Sequence, residues 1–138
     1  MSVILFADNE PDWLDTRAEF LERQGYQVLK AYTLEQARQL LSEARVQIAI
    51  LDIRMVNDDD EKDTSGLTLA KERTYRPIPK ILLTGFPTYQ AVREALGPAL
   101  DGLPPAVAFL DKKEGSEAMI KAVEQALEDH VSINWDLQ

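Results

Sequence analysis

The chain has 138 residues, 45% of them hydrophobic, and 15 Lys+Arg against 24 Asp+Glu give a formal charge of −9. That length fits one domain with a proper core, and the acidic balance argues against charge-driven binding to nucleic acid or an anionic membrane. The lack of Cys excludes disulfides and thiolate chemistry, the single His130 excludes a His–His metal pair, and no run nears the roughly 18 apolar residues of a membrane span, so with no leader-like start a soluble cytoplasmic protein is expected.

Val3 to Ala7 is a continuous apolar run that stops at Asp8. Such runs suit strands buried on both faces of a parallel sheet. Pro11 fits a first helical turn capped by Asn9 or Glu10, Leu14, Ala18 and Leu21 share one face, and Gly25 ends the helix. Tyr26 to Ala31 reads as a second, weaker strand. Thr33 is an N-cap with Gln36 completing a capping box, and Leu34, Ala37 and Leu41 form the next buried stripe. Val46 to Leu51 is a third strand, again followed by an acid, Asp52.

Asn57 to Ser65 is a polar loop, and Gly66 to Arg73 a short helix. Ile78 to Leu83 is a fourth strand ended by Thr84-Gly85. Thr88 caps a helix with Ala91, Val92 and Ala95 inward, and the Gly- and Pro-rich stretch from Gly97 to Pro105 is a loop. Ala106 to Leu110 is a fifth strand, followed by Asp111-Lys112-Lys113, and a long helix runs from about Ser116 to His130. The tail, 131–138, alternates apolar and polar residues and reads as a sheet edge, a linker, or the start of a further segment. The domain is therefore placed at residues 1–130.

Five strand–helix alternations imply an α/β domain with a doubly wound parallel sheet. In such sheets the functional crevice lies beyond the carboxyl ends of the strands. Asp8, Asn9 and Glu10 fall there, as do Asp52, Thr84 and Lys112. With strand order 2-1-3-4-5, Asp8 and Asp52 face each other. Two close carboxylates repel unless a cation intervenes, and Mg²⁺ with its oxygen ligands is the first choice. Lys112 adds a point charge and Thr84 a hydroxyl. Carboxylate, metal, lysine and hydroxyl are the parts needed to transfer a phosphoryl group to an aspartate.

These residues also carry a family resemblance. ILFADNEP resembles the ILxVDDEP opening of bacterial response-regulator receiver domains, AILDIRM their phosphoacceptor segment, ILLTG their switch strand, and AFLDKKEG their YLxKP segment. The four segments occur in order over residues 3 to about 130. The resemblance implies a flavodoxin-like (βα)5 fold with Asp52 as phosphoacceptor. It implies Mg²⁺ held by Asp8, Asn9, Asp52 and the backbone carbonyl of Arg54, and switch residues Thr84 and Phe109, with Lys112 as the catalytic lysine. It further implies a sensor histidine kinase or phosphotransfer protein as donor and an output face from strand four to helix five, including a homodimer through helix four, strand five and helix five. The chain would then act as an enzyme only on its own phosphorylation and dephosphorylation.

Three departures stand out. Asn9 replaces a second Asp, which predicts weaker Mg²⁺ binding. Phe109 has no hydroxyl where Tyr is frequent. Lys113 replaces the usual Pro, which leaves the Lys112–Lys113 bond open between trans and a cis form costing about 2.5–4 kcal/mol. The loop between Met55 and Gly66 is also enlarged.

Each feature has a plainer reading. Asp8 and Asp52 alone could be cap carboxylates, Thr84-Gly85 a turn, and Lys112-Lys113 a solvated pair. The run Asp58-Asp59-Asp60-Glu61 reads first as a solvated loop and second as a contact for a cation or a basic partner; it lacks the Gly and Glu of an EF-hand. His130 suits a helix C-terminus, Trp13 partial burial, and Trp135 a contact with a partner or further domain. A haloacid-dehalogenase-type phosphatase would need a second Asp two residues after the nucleophile, where Arg54 stands. A receiver-like interaction module that takes no phosphate is the other alternative, favoured by Asn9 and Lys113.

Overall fold

The computed structural model describes residues 2–97 and 104–136, with side chains described as far as Asp129. Most of the loop expected from Gly97 to Pro105 lies outside the described residues, as do the side chains of His130 and Trp135. The strands are β1 (Val3–Ala7), β2 (Gln27–Ala31), β3 (Ile48–Asp52), β4 (Lys80–Thr84) and β5 (Ala108–Asp111). They form one parallel sheet in the order β2-β1-β3-β4-β5. The helices are α1 (Pro11–Arg23), α2 (Leu34–Glu43), α3 (Ser65–Lys71), α4 (Tyr89–Leu96) and α5 (Ser116–Asp136).

The sheet has a core on each face because strand side chains alternate. Leu5, Ala7, Ala49, Leu51 and Leu82 pack with Ala37, Leu41, Leu67 and Ala95 from α2, α3 and α4. Ile4, Phe6, Ile48, Ile50, Ile81 and Leu83 pack with Leu14 and Leu21 from α1 and Met119 and Val123 from α5. A central strand covered on both sides reads as an unbroken apolar run, which is how β1 and β3 appear in the sequence.

Local chemistry sets the element ends. Pro11 sits at the start of α1, where its missing N–H costs nothing, and Glu10 caps by backbone alone. Thr33 accepts from the Gln36 amide N–H at 3.1 Å, but the Gln36 side chain accepts from Tyr32 N–H rather than from Thr33, so the expected capping box is offset by one residue. Thr88 caps α4 through the Ala91 N–H.

Several bounds differ from the sequence reading. β3 begins at Ile48, because Gln47 is spent on Val3: its side chain accepts from Val3 N–H and its own N–H donates to Val3 O. Asp52 and Thr84 are the last residues of their strands rather than the first residues beyond them. The helix expected from Gly66 to Arg73 is instead α3 followed by a separate 3-10 turn, Arg73–Tyr75. α5 continues through Asp136 instead of ending near His130.

Candidate functional site

The strand registers bring the polar residues to one rim. β1 ends at Ala7 with Asp8 next, β3 ends at Asp52, and Thr84 pairs with Asp111 at the end of β4 and β5. Asp8 is 0% exposed, Asp52 1% and Thr84 2%, so all three polar groups sit inside the protein.

Lys112 stands among them. Its ammonium lies 2.7 Å from Asp8 Oδ2 and 3.7 Å from both Asp52 Oδ2 and Glu10 Oε1. β5 has ended before this residue, so strand alternation does not aim it. Lys112–Glu114 form a 3-10 turn, closed by Asp111 accepting from Lys113 N–H and Glu114 accepting from Asp111 N–H. Gly115, with φ +88°, then lets the chain turn into α5. This turn sends Lys112 inward and leaves Lys113 exposed, and the Lys112–Lys113 peptide is trans. The lysine chain runs past Gly85 and its ammonium lies 4.6 Å from the centre of the Trp13 ring. Trp13 is half-buried, edge-on to Phe6.

Electrostatics follow from burial. Burial pushes the Asp52 carboxyl up to about 8, the Asp8 charge adds to this, and Lys112 opposes it. Burial likewise raises Asp8, with Lys112 pulling the other way. Burial alone would lower the Lys112 ammonium, but Asp52 and Asp8 together hold it above its ordinary value.

Asn9 Oδ1 and Asp52 Oδ2 are buried oxygens that accept no hydrogen bond, and Asp8 Oδ2 is met by the Lys112 ammonium at 2.7 Å. Buried acceptors are normally satisfied. Hard, buried oxygens of this kind fit a hard divalent cation. Among the described residues no three Asp, Glu or His side chains close into a metal-ligand group, so the Asn9 amide oxygen, a backbone carbonyl and water would have to complete such a shell.

Thr84 Oγ1 accepts from Phe86 N–H at 3.0 Å, which leaves its proton free to donate. Thr84 and Leu82 share a face of β4, and Leu82 pairs with Phe109, which packs half-buried on the α4 side of the sheet. Thr84 and Phe109 are thus on the same face.

Four features were not read from the sequence. A Cβ on Gly66 would lie 1.8 Å from the Asp52 carbonyl oxygen. The Arg54 guanidinium donates to Asp58 O at 2.6 Å and stacks 4.0 Å over the Phe86 ring. Burial and the Glu10 carboxyl push the Asp58 carboxyl up to about 6. The Lys112–Trp13 contact is the fourth. One signal was available: Asp111-x-x-Glu114 has the spacing of a capping box.

A sequence model of the response regulator receiver domain matches residues 4–124. The chain belongs to that family. It is 34% identical over 86 residues to the regulatory protein VanR of Enterococcus faecium, covering 62% of this chain and 35% of that protein. It is 42% identical over 82 residues to the response regulator GtcR of Aneurinibacillus migulanus, covering 59% and 31%. The chain therefore spans about a third of the length of these curated relatives. Its fold matches a CheY-like receiver domain protein of Methanospirillum hungatei with TM-score 0.79 at 21% identity, over 96% of this chain and 98% of that one. It also matches the response regulator TrrA of Thermotoga maritima, solved in complex with Mg(2+)-BeF, with TM-score 0.74 at 24% identity, over 92% and 100%. The protein is thus a receiver domain of a two-component response regulator. No helix among the described residues is long and apolar enough to cross a membrane.

Proposed function

We propose that Asp52 accepts a phosphoryl group from a phosphohistidine donor, a sensor histidine kinase or phosphotransfer protein, in a Mg²⁺-dependent step that the chain itself catalyses. The observation that carries this reading is the Lys112 ammonium, 2.7 Å from Asp8 and 3.7 Å from Asp52 inside a rim of buried oxygens.

An ionised Asp52 oxygen forms the new P–O bond while the donor P–N bond breaks. The electron pair of that bond stays on the leaving imidazole, which is protonated from its donor protein or solvent. Asp52 must be ionised to attack, and burial beside Asp8 works against that at neutral pH. Lys112 offsets part of this cost. Asp8, Asp52, Asn9 Oδ1 and the Arg54 carbonyl would hold Mg²⁺, which supplies positive charge to the phosphoryl oxygens. Thr84 donates its free hydroxyl proton to the attached group, and Phe109 follows into the space that Thr84 leaves. Phosphorylation then shifts an existing equilibrium of the β4–α5 face, toward a homodimer through α4, β5 and α5. A cytoplasmic location suits such a donor. TrrA's complex with Mg(2+)-BeF supports the cation and phosphoryl parts of this reading.

The test is incubation with Mg²⁺ and acetyl phosphate, followed by intact mass. The wild type gains one phosphoryl group and Asp52→Asn gains none. Equal labelling of both removes Asp52 as acceptor. Labelling of neither, with a cognate kinase tried as well, favours a receiver-like module that takes no phosphate.

A further inference from the structure

We infer that Trp13 is the positioning residue of Lys112: its indole holds the lysine ammonium at the crevice without taking one of its hydrogen bonds, so that the ammonium is free to pass from Asp8 to an oxygen of the phosphoryl group on Asp52. This rests on the reading of Asp52 as acceptor and Lys112 as its lysine.

A lysine side chain is a flexible stem with a strongly hydrated end, and its own chemistry does not keep that end in one place. The turn Lys112–Glu114 aims the stem but does not touch its tip. The tip is met by Asp8 Oδ2 at 2.7 Å and by the Trp13 ring, whose centre lies 4.6 Å from the ammonium. These two partners differ in kind. The Asp8 ion pair has to be broken or shared when the lysine turns to another oxygen. An aromatic face attracts a cation through its quadrupole and offers no directed acceptor atom. It therefore keeps the ammonium close while leaving the N–H donors for oxygens. Asp52 Oδ2, 3.7 Å away, is the next oxygen within reach.

The ring is itself fixed. Phe6, fully buried in β1, meets it edge-on, with centroids 5.9 Å apart and planes at 78°. Arg17, four residues on along α1, brings its guanidinium to 5.1 Å from the ring centre. Trp13 also lies in the first turn of α1, whose entry is tied to Asp8: Glu10 N–H donates to Asp8 Oδ1 at 2.9 Å, and Leu14 N–H donates to Glu10 O at 3.0 Å. One short segment thus carries both partners of Lys112, the carboxylate and the ring. The ring also limits where the stem goes. A small cavity bounded by Trp13, Leu83, Leu110 and Met119 lies beside Lys112. Without the indole this space would grow and let the stem fold back from Asp52.

The test compares Trp13→Leu, which fills much of the space but has no aromatic face, with Trp13→Phe, which keeps one. Labelling of the whole chain by acetyl phosphate with Mg²⁺ is followed by intact mass. The initial rate should fall about 10-fold in Trp13→Leu, the loss of a partly desolvated cation–π contact, and by no more than about 3-fold in Trp13→Phe. In a Lys112→Ala background Trp13→Leu should cost nothing further, because a residue that acts through Lys112 has nothing left to position. A wild-type rate in Trp13→Leu, an equal loss in Trp13→Phe, or losses that multiply in the double variant overturns the role. A second measurement needs neither a variant nor a phosphodonor. In the NMR spectrum of the wild type, the Lys112 ε-methylene protons should lie upfield of those of the other lysines, shielded by the indole, and an ordinary shift overturns the contact. An unimpaired Lys112→Ala removes the underlying reading of Lys112, and the role of Trp13 with it. An impaired Lys112→Ala beside an unimpaired Trp13→Leu removes the role of Trp13 alone.

Discussion

Gly66 meets the backbone of Asp52 so closely that no other residue fits: a Cβ there would sit 1.8 Å from the Asp52 carbonyl oxygen and 2.8 Å from its carbonyl carbon. The contact is tied by Gly66 N–H donating to Ile53 O at 2.9 Å. The first turn of α3 therefore lies directly on the end of β3 and fixes where the Asp52 carboxyl emerges. Backbone atoms cannot rotate away as a side chain can, so Gly66→Ala must move α3 or the end of β3. The expected cost is about 1–3 kcal/mol, the range for overpacking a filled interior. Urea denaturation measures it. Labelling by acetyl phosphate should fall as well, because the displaced backbone belongs to the proposed acceptor. A variant with wild-type stability and labelling would show that α3 shifts freely.

The raised Asp52 carboxyl makes a pH prediction with a definite sign. Its folded value, about 8, lies above the ordinary 3.8. Its contribution to stability is therefore fully present below the ordinary value and is lost as pH rises towards 8. Asp8 is shifted in the same direction. Lys112 is held above its ordinary 10.5 and does not titrate in this window. Without divalent cation, Asp52→Asn should be more stable than wild type near pH 8 by about 1–3 kcal/mol, an amount that fades towards pH 4. Added Mg²⁺ favours the ionised form, so it should stabilise the wild type more as pH rises and Asp52→Asn much less. Melting curves across this range decide it, and a wild type more stable than Asp52→Asn near pH 8 without Mg²⁺ would refute the buried, uncompensated carboxyl.

The strands and the rim were legible because each central strand is an apolar run cut off by a polar residue. Asp8, Asp52 and Thr84 mark those cuts, and burial on both sheet faces is what makes the runs unbroken. What the sequence hid depends on two elements meeting. Gly66 looks like an ordinary helix-start glycine until β3 is placed beneath it. Asp58 is indistinguishable from Asp59 and Asp60 along the chain, and only the fold shows it half-buried with its backbone carbonyl held by Arg54 while they are exposed. The end of α5 was misplaced for a different reason: the alternating pattern after His130 suggested an edge or linker, while the helix simply continues through Asp136.

The two lysines diverge because a turn, not a strand, holds them. Lys112 has 11% of its side chain exposed and contacts Asp8, while Lys113 is exposed. An ammonium beside two buried carboxyls does what a solvated one cannot: it lowers the cost of ionising them. Lys112→Ala should therefore cut the phosphorylation response strongly, remove the cation next to the Trp13 ring and change its fluorescence. Lys113→Ala should leave both nearly as in wild type, within about 0.5 kcal/mol in stability as is usual for a surface site. A sharper case is Glu114→Gln, which keeps its size but weakens the bond to Asp111 N–H that closes the turn. That variant should behave as a mild form of Lys112→Ala, because it loosens the turn that aims Lys112 without touching the carboxyls. Labelling rate and Trp13 emission measured side by side test the set. If Lys113→Ala proves the more damaging, the turn presents the other lysine to Asp52 in solution.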